Sequence, residues 1–118
     1  KSPAMPPNAS SSAFLKFNED GSVNILVSGM EIGQGLLTVM AQIAGEVLAL
    51  PVSKIRVETP DTDRNPYEWQ TVGSHVTWGC GNAVKRAALE ARDGPLAGQL
   101  LATHLMNKFA ALKDRVDG

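Results

Sequence analysis

An α+β fold is the class this sequence predicts, and three observations predict it. Two short alternating runs near the start read as a β-hairpin, a glycine-rich loop leads from the second run into an amphipathic helix, and strong helix formers fill the last third. The length of 118 residues suits one modest domain, which at this size buries roughly 60% or more of its unfolded surface.

The elements follow in order. Residues 1–12 are rich in Pro and Ser and read as an irregular lead-in. From Ser12 to Phe17 the side chains alternate, with Ala13, Leu15 and Phe17 opposite Phe14 and Lys16, the period of a strand. Asn18-Glu19-Asp20-Gly21-Ser22 is a turn signal, and Val23–Val27 returns as the second strand of a hairpin. The loop Ser28–Gly35 opens a helix expected to run to about Leu50. Its apolar face holds Leu36, Met40, Ile43 and Val47, widened by Leu37, Ala44 and Leu48, with Thr38, Gln42 and Glu46 as the polar stripe. Pro51 stops it, because a residue before proline is biased away from helical geometry. Ile55–Thr59 reads as a further strand. Residues 60–73 form a long connection, a length often associated with function. From about Ser74 the pattern is helical again, strongest over Ala83–Arg92 and weakened early by Gly79 and Gly81. Asp93-Gly94-Pro95 breaks it, and residues 96–116 are expected to form a second amphipathic helix.

Composition narrows the function. A net charge of −1 gives no electrostatic ground for a nucleic-acid or anionic-membrane partner, and no apolar run approaches the ~20 residues that span a bilayer. The single cysteine, Cys80, cannot close an internal disulfide, which suits a reducing, cytoplasmic setting. Zinc and iron–sulfur sites need several thiolate or imidazole ligands, and that spacing is missing. His75 and His104 lie far apart and are expected to be surface or packing residues. The chain begins without methionine or a signal-peptide pattern and reads as a piece of a longer polypeptide.

The informative segment is Gly29-Met30-Glu31-Ile32-Gly33-Gln34-Gly35. Its glycines allow positive φ and close approach of a ligand to the backbone. The helix that follows is expected to offer free N–H groups and a positive dipole end to an anionic or carbonyl-rich ligand; the competing reading is a strand-to-helix turn with no ligand. Thr71-Val72-Gly73-Ser74 is a second candidate. Thr71 or Ser74 is expected either to cap the next helix or to add donors facing the same ligand. A dinucleotide-binding unit fits poorly, since Thr38 stands where the third glycine of that fingerprint belongs, and the strand before the loop belongs to a hairpin rather than a parallel unit. Asp61, Asp63 and Glu68 lack calcium-loop spacing and read as a solvated loop. Ser74 and His75 are adjacent rather than arranged as nucleophile and base. Tyr67 and Trp69 are expected to pack the long loop down. Cys80 reads as a small buried or helix-face residue without a lowered pKa.

Over residues 3–92 these runs together resemble the large subunit of the xanthine dehydrogenase, aldehyde oxidase and carbon monoxide dehydrogenase superfamily. The resemblance rests on the Gly29–Gly35 element, the D-T-D loop at 61–63 and the Thr71–Ser74 element, in that order. It implies an oxidoreductase that hydroxylates a purine, an aldehyde or an N-heterocycle with oxygen from water. It also implies a molybdopterin, in some relatives a cytosine dinucleotide, whose metal takes no protein ligand. Carried over by position, the cofactor contacts are Ile32, Gly33 and Gln34, then Thr71, Val72, Gly73 and Ser74. Two departures stand out: Ser28-Gly29 where many relatives have Gly-Gly, and Val72-Gly73-Ser74-His75 where Thr-Ala-Ala-Ser or a Ser-Arg variant is common. The loop from Thr62 to Ser74 looks more like bacterial members than animal ones. The resemblance places the general-base glutamate and a Phe-Gly-Gly segment outside this stretch, so no catalytic residue is assigned and Glu31 is not given that role. Residues 1–118 are then a partial molybdopterin-binding domain, inactive alone. Its expected partners are the remainder of the large subunit, iron–sulfur and FAD domains or subunits, and a small-molecule substrate, with self-association through apolar surface left uncovered. The alternative is a non-catalytic binding module whose glycine loop is only a turn.

Overall fold

A computed structural model describes residues 9–58 and 60–94 of the chain. Within them lie β1 (Ala13–Phe17), β2 (Val23–Val27), α1 (Leu36–Leu48), a short 3-10 turn (Val52–Lys54), β3 (Ile55–Glu58) and α2 (Val76–Asp93). The α+β expectation holds, and the hairpin is present: β1 and β2 run antiparallel with Ala13 opposite Val27 and Phe17 opposite Val23. The turn between them is closed by Asn18 and Ser22 backbones and by the Asp20 carboxylate, which accepts from the Ser22 N–H and hydroxyl. The expected helix over 96–116, and His104 with it, lies outside the described residues.

One topological reading changes. β2 pairs with β3 in parallel, Val23 opposite Ile55 and Leu26 opposite Glu58, so the sheet order is β1-β2-β3. The strand before the glycine loop therefore belongs to a hairpin and to a parallel β2-α1-β3 unit at once. The hairpin does not exclude a dinucleotide-type unit, since a strand has two edges; the misplaced third glycine still does.

Because β2 is central, alternation along it decides the core. Val23, Ile25 and Val27 are fully buried, while Asn24 and Leu26 on the other face are half-buried. α1 lies against β3, α2 against β1, and the two helices pack on each other. Leu36, Met40, Ala44 and Leu48 of α1 meet Val76, Cys80, Val84 and Ala88 of α2 in this single core. Thr38, Gln42 and Glu46 are exposed, as the periodicity requires.

α1 ends at Leu48, two residues before the expected stop. Ala49 takes a left-handed conformation (φ 54°) and the Leu50 N–H returns to the Gly45 carbonyl at 3.0 Å. This is a C-terminal cap built without glycine at the left-handed position, so the helix has ended before Pro51 acts. Gly79 and Gly81 also prove to be more than weak helix formers. A Cβ on Gly81 would stand 2.9 Å from Ile43 Cδ1 of α1, and one on Gly79 would stand 2.5 Å from Ser11 Oγ. They are the places where α2 comes close to α1 and to the lead-in.

Candidate functional site

The two loops singled out by sequence meet at one end of the sheet. The Ser28 hydroxyl bonds to the Pro66 carbonyl and Asn65 Nδ2 donates to the Val27 carbonyl, which fasten the long connection to the end of β2. The lead-in pairs with the same connection: the Ser12 N–H donates to the Tyr67 carbonyl and the Trp69 N–H to the Ser10 carbonyl. The Met30 N–H then donates to Thr71 Oγ1 at 2.8 Å, joining the glycine loop directly to the second element. Gly29 stands at the junction of the helices. A Cβ there would lie 2.9 Å from both Leu36 and Val76 and 3.0 Å from Cys80 Sγ. Its role is close packing, whereas Gly33 and Gly35 supply the positive φ angles of 100° and 79°. Around a Cβ position on Gly33 or Gly35 nothing stands within 4 Å, so their backbone can be approached from outside.

The expectation of free N–H groups at the start of α1 is corrected. The Glu31 carboxylate folds back over this terminus, accepting from the Gly33 and Gly35 N–H groups through Oε1 at 2.9 and 3.0 Å and from Leu37 through Oε2 at 3.1 Å. These bonds, with Leu37's foremost and then those from Gly35 and Gly33, hold its pKa below 4.5 against a partial desolvation. A carboxylate at a helix N-terminus satisfies the dipole from within. Gln34 is engaged as well, donating to the Met30 carbonyl at 2.8 Å and accepting from the Ile32 N–H at 2.6 Å. Ile32 itself projects outward, 74% exposed.

At the second element neither Thr71 nor Ser74 caps α2. Thr71 is turned to Met30, and the N-cap position falls to His75, which makes no side-chain capping bond. Gly73 and Ser74 both have positive φ (65° and 53°), the turn that aims the chain into the helix. The first turn of α2 carries no acidic residue. The carboxylate nearest this start is that of Glu68, which faces the His75 ring and the Cys80 thiol rather than the backbone N–H groups.

One residue read as peripheral, Glu68, is central to the packing, beside His75 and Cys80, which pack as one of the readings for each expected. Glu68, taken for part of a solvated loop, has its side chain only 3% exposed, because the pairing of Ser11 with Glu68 draws it under the lead-in. Its Oε2 accepts from Cys80 Sγ at 3.0 Å, and burial, helped by that bond and the carboxylate's charge, pushes the Cys80 thiol up to about 12. His75 is buried, with Trp69 edge-on to its ring at a centroid distance of 5.9 Å. Trp69 thus packs as expected, whereas Tyr67 is exposed because the bond to Ser12 uses its backbone rather than its ring. Nothing in the spacing of Glu68, His75 and Cys80 marked this cluster. Among the described residues no group of three or more His, Cys, Asp or Glu side chains is arranged to hold a metal ion.

With this geometry established, residues 2–106 match the family model of the molybdopterin cofactor-binding domain. The chain belongs to that family. It is 34% identical over 93 residues to the xanthine dehydrogenase molybdenum-binding subunit of Escherichia coli, covering 78% of this chain and 12% of the relative. Among solved structures, the reconstituted CO dehydrogenase from Oligotropha carboxidovorans superposes with a TM-score of 0.70 at 32% identity, over 83% of this chain and 12% of that one. Quinoline 2-oxidoreductase from Pseudomonas putida gives 0.67 at 32% identity, over 74% and 11%. The chain thus spans about an eighth of the length of these proteins. Among the described residues no helix is long and apolar enough to cross a membrane.

Proposed function

We propose that residues 1–118 form part of the cofactor-binding surface of a molybdenum-dependent hydroxylase. In this reading Ile32, Gly33 and Gln34, together with Thr71, Val72, Gly73 and Ser74, contact a molybdopterin. The observation that carries it is the direct bond between Met30 and Thr71, which makes one continuous rim of the two loops and leaves the backbone of Gly33 approachable. The residues fit such a group in a specific way. The Glu31 carboxylate disfavours a phosphate at the start of α1, so the α1 loop suits the polar edge of a heterocycle.

The bound group would supply two-electron oxidation with oxygen drawn from water, and the substrate class is a purine, an aldehyde or an N-heterocycle. This segment contributes binding and orientation. Glu31 does not serve as a general base, because three backbone N–H groups occupy its carboxylate and lower its basicity. Catalytic residues, iron–sulfur clusters and FAD belong to other parts of the enzyme, and the segment alone is inactive. The cofactor in this reading is a molybdopterin, with the cytosine dinucleotide as one of its forms. A cytoplasmic setting accords with one buried thiol.

A second reading has its own observation in support. Glu31 and Gln34 satisfy the glycine loop internally, which is also how a purely structural turn would be built. Molybdenum content and pterin fluorescence of the complete polypeptide encoded by the gene, purified from its host, separate the two. The cofactor reading expects near-stoichiometric metal and pterin, lowered together by Gln34→Ala or by Gly33→Val, which strains a backbone at φ 100°. A well-folded protein holding neither would leave the binding-module reading.

A further inference from the structure

The buried cluster under the second loop has a proton requirement of its own. His75 Nδ1 lies 3.0 Å from the Val72 carbonyl oxygen. A carbonyl only accepts, so Nδ1 carries a hydrogen. On the opposite side of the ring Nε2 faces Glu68 Oε1 at 3.8 Å, with the two side chains 5% and 3% exposed. Neither atom has another hydrogen-bond partner. If the ring were neutral and the carboxylate ionised, two lone pairs would confront each other away from water, a costly arrangement for buried polar groups. One proton between them removes the conflict, whether it rests on the ring as imidazolium or on Oε1 as a carboxylic acid. Glu68 Oε2 is already accepting from Cys80 Sγ, so Oε1 is the oxygen left to take part.

We propose that Glu68 and His75 share one buried proton, and that this pair is a positioning device for the Thr71–Ser74 loop. The coupling is through the ring. With the proton in place, Nδ1–H is free to hold the Val72 carbonyl. Without it, the neutral imidazole must move its hydrogen to Nε2 to meet Glu68, and the bare Nδ1 then opposes the Val72 oxygen and releases it. Gly79 makes the arrangement possible, since a Cβ there would lie 3.2 Å from His75 Nε2 and 2.5 Å from Ser11 Oγ. The loop so held is the one that joins Met30 through Thr71, which extends the effect to the glycine loop.

The test is amide hydrogen exchange at Met30, whose N–H is held by Thr71 Oγ1, and at Gly79, whose N–H is held by the His75 carbonyl, in the complete polypeptide, comparing wild type with Glu68→Gln, Glu68→Leu and His75→Phe. A Gln side chain can accept from Cys80 with its oxygen and donate to Nε2 with its amide, supplying the hydrogen permanently, whereas Leu fills the space and offers none. Exchange close to wild type is expected for Glu68→Gln, and exchange faster by roughly tenfold or more for Glu68→Leu and His75→Phe, the scale of a buried polar group left unpaired. Equal protection in Glu68→Leu, or exposure in Glu68→Gln as great as in Glu68→Leu, would overturn the proposal. Neutron diffraction from wild-type crystals reads the same point without substitution: a hydrogen on Nδ1 and one between Nε2 and Oε1 are expected, and a bare Nδ1 would sink the idea. Both readouts are independent of metal. A polypeptide lacking molybdenum and pterin would therefore defeat the cofactor assignment while leaving this one to be decided by its own measurements.

Discussion

Glu31 shows how one side chain can complete a helix and tie down the loop that leads into it. Two carboxylate oxygens serve three backbone donors, and because these bonds lower its pKa, their contribution is present above 4.5 and is lost as pH falls through the folded-state value. Glu31→Gln keeps one acceptor and adds a donor that faces N–H groups. The expected result is a lower melting temperature at neutral pH and a weaker loss on acidification, read from thermal melts at pH 7 and pH 4. Cys80 has the opposite linkage. Its folded pKa is raised from 9.0 to about 12, so the stabilisation is complete below 9.0 and fades as pH climbs toward 12. In native protein at pH 8 iodoacetamide should leave Cys80 unmodified, and modification should appear with unfolding. Rapid labelling of the folded state would contradict the buried, hydrogen-bonded thiol.

At the scale of the elements, the two glycines of α2 look equivalent in sequence and are not equivalent in space. Gly81 meets the terminal methyl of Ile43, a flexible end that can shift. Gly81→Ala should therefore be close to neutral, since a helix-propensity gain of roughly 1 kcal/mol offsets the crowding. A Cβ on Gly79 would stand 2.5 Å from Ser11 Oγ and 3.2 Å from the buried His75 ring, so it is met by two groups at once. Gly79→Ala should destabilise by about 1–3 kcal/mol, measured by denaturant unfolding of the complete polypeptide. The ends of α1 and α2 carry the same lesson. Sequence located α1 by its apolar period and α2 by its strong helix formers, but the exact stops and starts came from local geometry: the left-handed Ala49, and the Gly73-Ser74 turn that puts His75 rather than a serine or threonine at the N-cap.

At the scale of the whole molecule, the decisive fact among the described residues is a sheet with both helices on one face. Phe14 is 58% exposed on the other face and stands opposite the half-buried Leu26. Met30, Ile32 and Val72 are exposed along the loop rim, and Trp78 on α2. In proteins several times longer with the same fold over this stretch, such surfaces are candidates for cover by the rest of the chain. The 118-residue chain on its own should then self-associate, with a mass that rises with concentration in sedimentation. A sharp monomer at high concentration that binds no apolar dye would count against it.

What the sequence determined by itself was whatever depends on near neighbours. Alternation over Ser12–Phe17 and Val23–Val27 fixed the hairpin, the 3.6-residue period fixed the faces of α1, and the order of the Gly29–Gly35 and Thr71–Ser74 elements carried the resemblance to a family to which the chain proved to belong. Tertiary structure alone decided the contacts between residues far apart in the chain. The parallel pairing of β2 with β3, the bond from Met30 to Thr71, and the burial of Glu68 against His75 and Cys80 are of this kind. The physical reason is that periodicity reports which way a side chain points relative to its own element. It does not report which distant backbone donor, ring nitrogen or thiol the packed fold will bring against it.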